Sequence, residues 1–119
     1  MSKDKIYQFN CNDICINPDT EVLYDKDKCY VEFTFARVLS GWVYGTEFWM
    51  TLNTVECYGV HGDGCYYYSE PMYTNDDCRK AAIKEAIEFF EEGGRKIRCA
   101  KVLQFLNNSL TKYDHEKAI

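Results

Sequence analysis

The stretch CYVEFTFARVLSGWVYGTEFWMTLN, Cys29 to Asn53, decides the fold. Its first half alternates. Cys29, Val31, Phe33 and Phe35 fall on one side of an extended chain and Glu32, Thr34 and Ala36 on the other, because successive strand side chains point to opposite faces. Ser40-Gly41 supplies a turn, and Trp42 to Asn53 reads as the return strand. In it Tyr44, Thr46, Phe48, Met50 and Leu52 are in phase, and Glu47, Trp49 and Thr51 are out of phase. The stretch predicts an antiparallel hairpin with one apolar face.

Towards the C-terminus, Cys57 to Gly64 holds Gly59, Gly62, Asp63 and Gly64, which predicts a loop. The aromatic run Cys65 to Tyr68, with Tyr73, predicts a third strand that Pro71 confines to an edge or shortens, since proline cannot donate to a ladder. Thr74 to Asp77 predicts a helix start, with a capping hydroxyl and two aspartates at the positive end of the helix dipole. Ile83, Ala86, Ile87 and Phe90 then recur on one helical face, and the helix is expected to reach Glu92 before Gly93-Gly94 ends it. A second helix is expected from about Arg95 to Leu110, with Cys99, Leu103, Leu106 and Leu110 on one side. Arg95, Lys96 and Arg98 oppose the dipole at that start, so either the helix begins later or the cationic turn meets an anionic group. The tail after Lys112 is expected to fray.

Towards the N-terminus, Asn10, Asn12, Asp13, Asn17, Pro18 and Asp19 give repeated turn signals around the short apolar pieces Ile6 to Phe9 and Glu21 to Tyr24, which predicts an irregular arm or a strand-loop rather than a helix. The expectation is one domain over residues 1–119: an arm at 1–28, an antiparallel sheet at 29–74 and a helical part at 75–119. The fold class is α+β, a three- to four-stranded antiparallel meander packed against two C-terminal helices.

A net charge of −5 argues against a generic nucleic-acid binder, which needs a surplus of lysine and arginine on some face. It leaves open a protein partner with a basic surface. No run approaches the roughly 18 apolar residues of a membrane span, and the start Met-Ser-Lys-Asp-Lys lacks an apolar signal core, so a soluble cytoplasmic protein is expected.

The chain carries seven cysteines and no C-x-x-C pair. A meander that turns at Ser40-Gly41 would bring Cys29, Cys57 and Cys65 to one end, where the arm adds Cys11 and Cys15. Cys11, Cys15, Cys57 and Cys65 form the expected ligand set of a structural zinc ion, two pairs from separate segments around a tetrahedral centre. Cys29 or His61 could replace one of them, and free thiols or disulfides remain alternatives. Cys78 and Cys99 are expected in the core.

Catalysis finds little support. His61, Asp63 and Cys65 are neighbours in sequence, yet near-consecutive positions in a glycine loop rarely converge as a nucleophile and base require, and no catalytic motif is present. A binding role fits better: Glu47 and Trp49 alternate against the expected core face, and Glu85, Glu88, Glu91 and Glu92 line the first helix.

With its acidic charge, its single sheet backed by helices and the set Cys11, Cys15, Cys57 and Cys65, the whole chain resembles the small anti-CRISPR proteins of phages and prophages, particularly zinc-containing inhibitors of type II effector nucleases. That resemblance implies a non-enzymatic inhibitor in the bacterial host cytoplasm that docks on a basic lobe of an RNA-guided nuclease and blocks target DNA loading. A zinc-stapled regulatory or toxin-neutralising protein is the alternative, followed by a thiol or metal-dependent hydrolase.

Overall fold

Four strands form an antiparallel meander in spatial order β1-β2-β3-β4: Asp19–Lys26, Cys29–Val38, Gly41–Leu52 and Glu56–Asp63. Helices α1, Asn75–Glu91, and α2, Ala100–Ala118, complete an α+β fold of the expected class. The computed structural model describes residues 5–52, 56–92 and 99–118, with side chains left out at 52, 56–61 and 113–118.

The β2–β3 hairpin follows its sequence pattern residue for residue. Cys29 opposes Met50, Val31 opposes Phe48 and Phe35 opposes Tyr44, so the apolar phase of each strand lands on the same face. On that face Val31, Phe33, Phe35, Phe48 and Met50 are buried with Ile83, Ala86 and Phe90 of α1 and with Val102, Leu103 and Leu106 of α2. Each large apolar side chain buried this way contributes about 1.5–3 kcal/mol. Arg79 ties α1 to the outer strand: its guanidinium donates to Glu21 at 2.7 Å and 3.1 Å and to Asp76 at 3.0 Å, and it lies 4.9 Å from the centroid of the Phe35 ring.

Thr74 caps α1 as its sequence requires, its hydroxyl accepting the Asp77 amide at 3.0 Å, with Asp76 and Asp77 in the first turn. Cys78 and Cys99 are core residues, as expected.

Four local readings are corrected. The arm is not irregular throughout, because Asp19–Lys26 pairs with β2 through a two-residue turn in which Asp27 and Lys28 both have positive φ, 56° and 63°. Glu56–Asp63 is strand β4 on the free edge of β3, not a loop. The aromatic segment that follows is not a continuous strand and touches its neighbours through single bridges, Ile14 to Tyr66 and Trp42 to Met72. Helix α2 begins at Ala100 rather than near Arg95 and continues past Lys112 to Ala118. Arg95, Lys96 and Arg98 lie outside the described residues.

The second face of the sheet is covered over only part of its area. Ala36, Val38 and Val43 are buried there under Cys15, Cys65, Tyr7, Phe9 and Tyr67, a small second core made by the arm and the segment after β4. The crossing of that segment is set by Gly45. A Cβ there would lie 2.5 Å from the Asp63 carbonyl oxygen and 2.6 Å from Thr34 Oγ1, so only glycine lets the chain pass.

Candidate functional site

Beyond the Gly45 crossing the second face is open, and its residues alternate with those that hold the helices. Tyr30 opposes Trp49 and Glu32 opposes Glu47 across β2 and β3, with Val22 of β1 opposite Glu32. The Tyr30 and Trp49 rings stack, centroids 5.1 Å apart and planes 8° apart, and both residues are half-buried. Glu47 and Val22 are exposed. The result is an apolar step beside a pair of carboxylates.

Opposite like charges on one face of a ladder are destabilising. Among the described residues neither Glu32 nor Glu47 is in an ion pair; Glu32 accepts the Tyr30 hydroxyl at 2.5 Å. That hydrogen bond, partial burial and the surrounding charges of Glu32, Glu47 and Asp25 push the Tyr30 phenol up to about 12. The three carboxylates act in the same direction on the phenol. Glu32 and Glu47 also border a cavity of about 260 Å³ whose other walls include Thr34, Asp63, Cys15 and Cys65.

Glu47 and Trp49 therefore lie where the strand phase places them, on the face away from the helices. The acidic residues of α1 do not join them, because the sheet separates the two layers. Glu85 is half-buried and accepts the Tyr44 hydroxyl, which makes it part of the α1–β3 contact, while Glu88, Glu91 and Glu92 are exposed on the helix layer. A single flat partner cannot touch Glu47 and Glu88 together.

Of the four expected zinc ligands, the structure brings two together. Cys15 and Cys65 share the second core, the Cys15 amide donating to the Cys65 carbonyl at 2.9 Å. Cys11 is exposed in the turn before Cys15. The side chains of Cys57 and His61 lie outside the described residues, but the backbone register separates Cys57 from Cys65. Cys57 opposes Thr51, whereas the Cys65 thiol donates to the Val43 carbonyl at 3.5 Å. Thr51 and Val43 are eight residues apart on β3, about 26 Å at strand rise, which the ligands of one tetrahedral ion do not span. The expectation that one end of the sheet gathers Cys29, Cys57 and Cys65 is corrected in the same way: Cys29 and Cys57 share an end and Cys65 sits at the other.

Burial pushes the Cys65 thiol up to about 12, helped by neighbouring Cys15, and raises Cys15 as well. Both stay protonated near neutrality and lack the thiolate that nucleophilic chemistry uses. Strand phase places Trp49, Glu47 and Glu32 on faces away from the core but does not pair them; the pairing of Glu47 with Glu32 and of Trp49 with Tyr30 comes from the β2–β3 register.

No helix among the described residues is long and apolar enough to cross a membrane. No family model, curated protein or solved structure matches this chain.

Proposed function

We propose that this chain is a non-catalytic binding protein whose open sheet face docks a basic segment of a protein partner. The observation that carries the reading is the cross-strand pair Glu32–Glu47 beside the stacked Tyr30–Trp49 step. A fold gains nothing from two opposed carboxylates, so their benefit is sought outside the chain. A lysine or arginine laid between them would neutralise the repulsion, and its stem or guanidinium would rest on the indole and phenol faces. Tyrosine and tryptophan are enriched at interface centres, and charged groups such as Glu32 and Glu47 suit the polar rim beside them.

The partner class that the whole-chain resemblance suggests is an RNA-guided effector nuclease, whose DNA-binding channel is basic and attracts acidic competitors by the same field that attracts DNA. Blocking of target DNA loading is the corresponding activity. The test is target cleavage by a type II effector with and without the purified protein, alongside Glu32→Lys/Glu47→Lys. Stoichiometric inhibition that the charge-reversed protein loses would support the inhibitor. Full cleavage in its presence, with unaltered effector elution on gel filtration, removes this partner class. Arginine-rich peptides, bound by the native protein and not by the charge-reversed one, separately test the face itself.

A further inference from the structure

On the helix side of the sheet, far from the acidic face, three sulfur atoms meet at the edge of the core. Cys29 opens β2, and the β2–β3 register sets it opposite Met50. Cys99 stands immediately before Ala100, the first residue of α2, and its carbonyl accepts the Leu103 amide at 2.9 Å, the first helical bond. Its thiol lies 3.5 Å from the Met50 thioether sulfur and shares a hydrogen bond with the Cys29 thiol. All three residues are buried, at 4%, 3% and 1% exposure for Cys29, Met50 and Cys99.

The cluster is not sealed. Cys29 and Cys99 both border an open cavity of about 400 Å³, with Lys28 and Lys101 on its walls and Asp27 beside them. A small ion could reach the sulfurs without unfolding the core. Cys99 at the head of a long helix is also where a thiolate is favoured by the helix dipole.

We infer that Cys29, Cys99 and Met50 form a binding site for a soft monovalent cation, Cu(I), held by two thiolates and one thioether. The choice of ion follows from the donors. Among the described residues no three histidine, cysteine, aspartate or glutamate side chains converge, so the four hard or borderline ligands of a zinc tetrahedron are absent here. Thiolate with thioether is the donor set that selects Cu(I). Binding is written as Cu⁺ with two thiols and one thioether giving a singly negative complex and two protons released to water, with no change of oxidation state. Thiol ligands give up their protons to the ion as it binds, so retention is expected to strengthen as pH rises. Lys28 and Lys101 at the cavity offset the single negative charge, and Asp27 opposes it.

The experiment is anaerobic titration of the reduced full chain with Cu(I), in competition with a chromogenic Cu(I) chelator. The expected result is one equivalent retained through gel filtration with an all-sulfur shell in X-ray absorption. Cys29→Ser and Cys99→Ser should abolish retention while Cys65→Ser leaves it unchanged. Met50→Leu conserves volume and keeps the fold, so it decides the matter if the serine variants do not fold; it should weaken binding several-fold and remove the long sulfur scatterer. Retention unchanged by Met50→Leu, loss that follows Cys65→Ser, or no retained copper on the native chain overturns the site. This outcome is independent of whether the sheet face binds a basic partner.

Discussion

The Cys15 amide donates to the Cys65 carbonyl at 2.9 Å, and together with the Tyr67 amide donating to the Asp13 carbonyl at 2.8 Å it makes the bridge between Ile14 and Tyr66 that joins the arm to the segment that follows β4. Cys15 and Cys65 are 6% and 2% exposed, and with Val43 and Ala36 they form the small core on the second face. Their thiols are thus packing groups, held protonated and out of reach.

Alkylation at neutral pH should follow that division. With iodoacetamide on the reduced native protein, Cys11 is expected to react first, because it is exposed. Cys15, Cys29, Cys65, Cys78 and Cys99 are expected to resist until denaturant is added, since all are buried and burial pushes Cys29 and Cys65 up to about 12 and Cys78 up to about 11. Peptide mass mapping after timed quenching reads the order. Rapid native labelling of Cys65 would contradict the second core.

Glu47→Gln separates binding from stability. It removes one of two opposed carboxylates, so the folded state should gain about 0.2–1 kcal/mol, read as a higher urea midpoint. The same change should weaken capture of an arginine-rich peptide. A loss of stability would mean that Glu47 has a structural partner within the fold.

Gly45→Ala should destabilise by about 1–3 kcal/mol, because the added methyl meets backbone at 2.5 Å and 2.8 Å and the Thr34 hydroxyl at 2.6 Å. Gly62→Ala is the control, since a Cβ there has nothing within 4 Å. Equal urea midpoints for the two variants would show that the chain does not cross β3 at this point.

The arm should loosen in acid. Burial alone would raise the Asp19 carboxyl, but donation from Lys5 at 2.8 Å and from Tyr7 at 2.5 Å outweighs it and leaves the group below its ordinary value. A carboxyl depressed on folding adds stability that is fully present above its unfolded value, about 3.9, and is lost as pH falls through the lower folded value. Protection of the residue 5–17 amides at pH 6 and at pH 3, each taken relative to the intrinsic exchange rate at that pH, measures this, with weaker protection expected at the lower pH. Asp19→Asn should flatten the difference, and an unchanged profile would remove Asp19 from the arm's attachment.

The β2–β3 hairpin and α1 were legible because their residues carry their own instructions: strict alternation in one, and the Thr74 cap with an apolar face in the other. The strands flanking that hairpin were not. Gly59 and Gly62 have low strand propensity, yet β3 is twelve residues long and its free edge supplies the hydrogen bonds that make Glu56–Asp63 extend. β1 was hidden because its turn uses Asp27-Lys28 in place of the asparagine-glycine that signals two positive φ values. Misplacing β4 also displaced Cys57, and with it the zinc tetrad. The open face was half legible: phase alone found Glu47 and Trp49, whereas their pairing with Glu32 and Tyr30 depends on register.

The bare Cα at position 45 sets a border on the sheet. On one side of it lies a small hydrophobic annex roofed by the arm; on the other lies a negatively charged shelf, and the seam between them is as wide as one absent methyl group. Loop and arm can therefore vary in length and composition without encroaching on the shelf, so long as that residue stays without a side chain. A single larger residue there would lift the roof and disturb the rim of the shelf in the same step.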